Sequence, residues 1–180
     1  MRKWIWGLIA LVAVAAVGFF GIAPGYIEGS MNKVDGKPLP KVSAEAIALH
    51  KTLTIVDLHS DTLMWKRDVL DRAERGHMDL PRLQDGNVAL QVFSSVSKTP
   101  KGQNYDANGA DSDNITLLAV AQMQPVRTWN SLLERSLWHA TKLNRAASGS
   151  GAMLRHVRNP NQLDQLLKLR ESNLKITGGF

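Results

Sequence analysis

Residues 53–63 read "LTIVDLHSDTL", and their character changes half-way. Leu53, Ile55 and Val56, with threonines at 52 and 54, have the β-branched, apolar make-up of a buried strand. Asp57, His59 and Asp61 then follow at alternate positions. Side chains two apart along a strand point to one face, so His59 and Asp61 converge, joined by Asp57 if the strand reaches back to it. An imidazole beside a carboxylate is a common ligand pair for zinc or a similar divalent ion. Two carboxylates at a strand end also serve simply to cap the strand or the helix after it. Spacing alone leaves both readings open.

Outward from this stretch the chain alternates strand and helix signals. Before it, "SAEAIALHK" (43–51) reads as a short helix capped by Ser43. After it, "MWKRDVLDRAERG" (64–76) suits a helix or helical turn ending at Gly76. "NVALQVFSSV" (87–96) is a second strand, entered through the turn "QDGN", and residues 97–113 form a long polar loop. Asn114 to about Ala147 is helical in composition, with a break at Pro125, and "SGSG" (148–151) reads as a joint. Pro160 and the leucines at 163, 166, 167 and 169 mark an amphipathic helix over 159–173, and "LKITGGF" (174–180) a third strand running into a glycine turn. Strands separated by helical connections indicate an α/β fold.

The N-terminus has its own signal. Arg2 and Lys3 precede an uncharged run, Trp4–Ala23, of 20 residues. At 1.5 Å per residue it spans about 30 Å, the thickness of a bilayer's hydrocarbon core. A secretory signal has a shorter apolar region and a small-x-small cleavage site, and "GFFGIAPG" offers no clean one. Residues 1–27 are therefore expected to be a retained membrane anchor. Its basic flank places the bulk of the chain on the extracytoplasmic side. Residues 28–42, "EGSMNKVDGKPLPKV", read as a polar linker, leaving 43–180 as the folded domain.

Charge and cysteine content remove several function classes. The net charge of +6 is uneven: residues 1–52 hold 6 basic and 3 acidic groups, 53–113 hold 7 and 10, and 114–180 hold 9 and 3. The stretch around His59 is thus acidic. The basic excess lies on helical segments without a nucleic-acid motif and reads as a solvated face rather than a nucleic-acid footprint. With 0 cysteines there is no disulfide framework, thiolate zinc site or cysteine nucleophile. Any metal must be held by histidine and carboxylate.

Three ordered elements go further: the apolar strand ending in D-x-H-x-D (57–61), then "GHMDLPRL" (76–83), then "GNVALQVFS" (86–94). Together they resemble the membrane dipeptidase (renal dipeptidase-like) family of metallopeptidases, most clearly over residues 50–100. The resemblance implies a zinc-dependent hydrolase of dipeptides on a (β/α)8 TIM-type barrel, with two Zn2+ ions per complete site bridged by a carboxylate. It carries His59 and Asp61 over as ligands of the first metal, and Asp57 as a support for them. It places His77 in a structural segment; His50, His139 and His156 lack any motif and read as surface or helix-face residues.

The match is partial. A barrel of this kind takes about 250 residues, and residues 43–180 are about half of that. The resemblance puts the bridging glutamate just after a glycine turn like "ITGGF", where the chain reaches Phe180. Glu134 and Glu171 lie on helices, and Glu45 and Glu74 lie away from strand ends, so none fills that place. The expectation is the N-terminal portion of a barrel, incomplete and inactive by itself. A membrane-anchored interaction protein without catalysis is the alternative. A cyclic amidohydrolase is disfavoured, because those relatives show H-x-H where this chain has Asp61.

Overall fold

A computed structural model describes residues 2–180. Strands β1 (Ile55–Ser60), β2 (Val88–Phe93), β3 (Leu154–His156) and β4 (Thr177–Gly179) form one parallel sheet in the order β1-β2-β4-β3. The three strands expected from the sequence are adjacent and in sequence order. β3, which composition did not signal, adds itself at the edge beyond β4. Six helices accompany the sheet: α1 (Arg2–Met31), α2 (Ala44–Thr52), α3 (Leu80–Asp85), α4 (Ile115–Ala121), α5 (Leu132–Gly149) and α6 (Pro160–Arg170).

The helix starts follow local chemistry. The side chains of Ser43, Asp79, Ser131 and Asn159 accept the backbone N–H groups of Ala46, Arg82, Glu134 and Gln162, supplying partners the first turn lacks. The fixed φ of Pro160 suits the first turn of α6. Pro125 separates α4 from α5, with one 3-10 turn (Val126–Thr128) between them.

The core lies between α5, α6 and the sheet. Leu143 and Ala146 of α5 pack with Leu63, Leu80, Leu83 and Leu154, and Leu166 of α6 packs with Val157 and Ile176. Gly178 permits the close approach of α6: a Cβ there would stand 2.4 Å from Leu166 Cδ2 and 2.8 Å from Leu90 Cδ1. Asn87 takes φ +52°, which asparagine tolerates. Its amide donates to the carbonyls of His50 and Leu53 and accepts from the buried Arg170 guanidinium at 2.7 Å, so one side chain ties the end of α2, just before β1, to α6.

Two segments depart from expectation. Residues 65–79 form no α-helix: one 3-10 turn (Thr62–Met64) is followed by irregular chain to Gly76 at φ +81°. Side chains take over the backbone bonding there. Asp68 accepts the Leu70 N–H, and the fully buried Asp79 accepts the Ala73 N–H while pairing with Arg82. The second departure is α1, which continues past Pro24 into the stretch read as linker. Its last two turns dock on the domain. Glu28, 1% exposed, is paired with Arg67 (2.7 Å) and Arg75 (3.3 Å), Ile27 packs on Met64, Trp65 and Ile115, and Gln122 donates to the Pro24 carbonyl. Residues 33–43 then run as exposed chain without helix or strand. The 30-residue α1 is long and apolar enough to cross a membrane.

Candidate functional site

β1 ends where the apolar run gives way to "DLHSD", and its parallel pairing with β2 sets that end beside Phe93 and Ser94. This is the carboxyl edge of the sheet, the side on which α/β folds build their sites. His59 and Asp61 do converge: His59 Nε2 lies 3.1 Å from Asp61 Oδ2. Two ligands held about 2.0–2.1 Å from a tetrahedral zinc ion stand about 3.3 Å apart, so this separation suits neighbouring ligands after a shift of a few tenths of an ångström. Both groups are open to solvent, the imidazole 69% and the carboxylate 32% exposed.

Ser94, absent from the sequence reading, joins them. Its hydroxyl donates to Asp61 Oδ1 at 2.5 Å and lies 3.3 Å from His59 Nε2. Oδ2 is left facing the imidazole. The signal was present in the sequence: Ser94 directly follows the second strand, and parallel pairing puts the residue after each strand at one edge. Asp57 acts on the backbone, its Oδ1 accepting the His59 N–H at 3.1 Å. It thereby shapes the chain that carries the imidazole without touching the ring. Beneath, the fully buried Gln91 donates to the Val92 carbonyl at 3.1 Å and reaches the Asp57 carbonyl at 3.5 Å.

The other histidines are spread out. His139 is 2% exposed, not a surface residue: Ser95 Oγ lies 2.7 Å from its Nδ1, while Nε2 is buried without a partner among the described residues. Burial chiefly, reinforced by the charge of Lys142, lowers its pKa from 6.5 to about 4 against the opposing pull of Asp61, so it is neutral at pH 7. Helix α5 looked solvated in composition, but its inner face is pinned by Arg135, 1% exposed, which pairs with Asp113 at 2.7 Å and donates to the Thr128 carbonyl at 2.7 Å. His156 ends β3 on the same edge, but three inter-strand spacings, about 14 Å, separate β3 from β1. Its Nδ1 is held 2.7 Å from Asn144 Oδ1. His77 is exposed in the turn before α3, and His50 is exposed on α2.

Among the described residues no group of three or more histidine, cysteine or acidic side chains is gathered closely enough to hold a metal ion. His59 and Asp61 therefore fit a divalent ion as two neighbouring ligands, one side of a centre. Ligation through Nε2 requires the imidazole proton on Nδ1. No protein-family model, curated protein or solved structure matches this chain.

Proposed function

We propose that this chain is the N-terminal portion of a membrane-anchored, zinc-dependent dipeptidase of the membrane dipeptidase type, its sheet being the first strands of a (β/α)8 barrel. α1 is its transmembrane anchor and the domain lies on the extracytoplasmic side. One observation carries the reading: a histidine nitrogen and a carboxylate oxygen brought within 3.1 Å at the carboxyl end of the first strand of a parallel sheet. The three ordered sequence elements at 57–61, 76–83 and 86–94 support it.

In this reading His59 and Asp61 hold the first of two Zn2+ ions. A bound divalent ion supplies Lewis acidity, polarising a peptide carbonyl and lowering the pKa of water. Ser94 keeps Asp61 turned toward the imidazole, and Asp57 holds the backbone of His59, as outer partners of metal ligands do. Two ligands hold an ion far more weakly than the three or four of established zinc sites. The 180-residue chain alone is thus expected to bind zinc weakly and to hydrolyse nothing. The alternative is an anchored interaction protein without catalysis, with the long helical region of residues 114–147, including Trp129 and Trp138, as its interaction face.

Zinc titration of the full chain in detergent micelles, followed through the imidazole signals by NMR, separates the two. Zinc-dependent shifts at His59 that vanish in Asp61→Asn support the metal centre. Membranes from cells carrying the gene at its own locus are then assayed on a dipeptide series. Chelator-sensitive hydrolysis lost in a His59→Ala allele supports the enzyme. No zinc response at His59, together with unchanged hydrolysis in that allele, sinks the dipeptidase reading and leaves the interaction protein.

A further inference from the structure

Where α1 leaves its apolar run, the domain is basic. A cavity of about 370 Å³ is lined by Lys66, Arg67, Lys142 and Arg145 around Trp138, with Asp68 as its one carboxylate. A second, of about 360 Å³, shares Lys66 and Arg67, adds Arg75, and lies against Gly21, Pro24, Gly25 and Glu28 of α1. It straddles the end of the uncharged run at Ala23 and covers about 10 Å of helix axis, enough to span the headgroup layer of one leaflet, about 5–8 Å. Tyr26, 74% exposed on the same turn, suits that depth.

The cations there outnumber their partners. Glu28 is shared by Arg67 and Arg75. Arg67 is otherwise spent inside the domain, donating to the Met78 carbonyl at 2.7 Å and to Thr62 Oγ1 at 2.8 Å. Arg75 leaves 42% of its side chain exposed, with one terminal nitrogen lying against Gly25 of α1. The Lys66 ammonium reaches the sulfur of Met123, a weak acceptor, and pairs with no carboxylate among the described residues. The Arg145 guanidinium lies over the Trp138 ring, 5.4 Å from its centre, likewise without an acid. On the floor, the Lys142 ammonium donates to the Leu63 carbonyl at 2.9 Å and to the Trp65 carbonyl.

We propose that these adjoining cavities bind a phosphate-bearing anion, the headgroup of an anionic phospholipid in the leaflet where α1 emerges, through Lys66, Arg75 and Arg145. The lipid source follows from position: a phosphate held there leaves acyl chains to lie along the exposed apolar surface of α1, including Ile22, Val17 and Val14. Clustered basic side chains beside a transmembrane helix recognise such lipids. This site rests on reading α1 as the membrane anchor, and the test separates the two.

Membranes holding the full chain are first washed with alkaline carbonate; release into the wash overturns the anchoring reading and this site with it. The retained chain is reconstituted in nanodiscs of phosphatidylcholine alone or mixed with phosphatidylglycerol, and native mass spectrometry counts the lipids that stay bound. Phosphatidylglycerol is expected to be retained over phosphatidylcholine. The double variant Lys66→Glu, Arg145→Glu should lower that retention at least about ten-fold. Both side chains are exposed and carry no ion pair, so its melting temperature should fall by no more than about 4 °C, the loss of the Arg145–Trp138 contact. The matched control Lys51→Glu, Lys168→Glu, on other exposed faces, should retain the lipid. Equal retention of the two lipids, or retention unchanged in the double variant, overturns the proposal. Displacement of the lipid by inorganic phosphate alone assigns the cavities to a free anion and overturns the lipid reading.

Discussion

β1 and β2 run side by side in one sheet, yet their surroundings differ sharply. β2 buries Ala89 and Gln91 completely, whereas β1 leaves Val56 45% and Leu58 75% exposed. Helices α5 and α6 cover the sheet on the β4–β3 side, and the packing reaches α1, whose Glu28 is buried against two arginines. Nothing among the described residues covers the outer face of β1. Parallel sheets ordinarily have both faces covered; β1 is instead an exposed edge strand, and it is the strand that carries the candidate ligands. Stability and candidate chemistry therefore occupy opposite sides of one sheet. Substitutions should separate them.

The largest effect is expected on the packed side. Glu28→Ala leaves two arginines facing a buried gap, and removing one partner of a buried ion pair costs about 3–5 kcal/mol. Urea unfolding of the full chain in micelles reads this directly. A loss below about 1 kcal/mol would mean that the docked end of α1 contributes little to the domain.

Acid should strike the packed side next. His139 is neutral when folded, with its pKa lowered from 6.5 to about 4 chiefly by burial. Unfolded chains therefore take up the proton first as pH falls. Its contribution is fully present above about 6.5 and is lost progressively toward 4, a change of about 3 kcal/mol over the window. His139→Gln, which keeps a polar group facing Ser95, should flatten that part of the melting-temperature profile. An unchanged acid limb would show that other groups set it.

Gly178→Ala tests the close approach of α6. The new methyl meets Leu166, Leu90 and Val157 at once, and overpacking of this kind costs about 1–3 kcal/mol. A neutral result would show that α6 can retreat from the sheet without loss.

The smallest stability change belongs to the open edge. Asp61→Asn should move the unfolding midpoint by no more than about 0.5 kcal/mol, as partly exposed substitutions do, while abolishing any zinc response at His59. A large destabilisation instead would make the Asp61–Ser94–His59 cluster a structural clamp and remove the contrast between the two strands.

Much of this arrangement could be read locally. Caps at Ser43, Asp79, Ser131 and Asn159, the break at Pro125 and the uncharged run Trp4–Ala23 are short-range signals, since each depends on one helical turn or one uninterrupted stretch. The alternation that brings His59 to Asp61 is equally local, because a strand's side chains repeat every two residues.

Other features required the chain to meet itself. β3 has three residues and no periodicity, and it exists because β4 offers an unpaired edge. Residues 65–79 have the composition of a helix, but the chain folds back on itself there, Asp79 accepting the Ala73 N–H and Arg67 donating to the Met78 carbonyl. Ser94 joins the site through strand pairing, His139 is neutral through burial, and Glu28 leaves the linker through two arginines about 40 and 50 residues away. By itself the sequence determined three of the four strands, the capped helices, the apolar helix and the facing pair His59 and Asp61. Tertiary structure alone decided which strands adjoin, which charges are buried and which residue links the candidate ligands. Those outcomes depend on contacts between residues far apart in the chain, whose energies composition and periodicity do not encode.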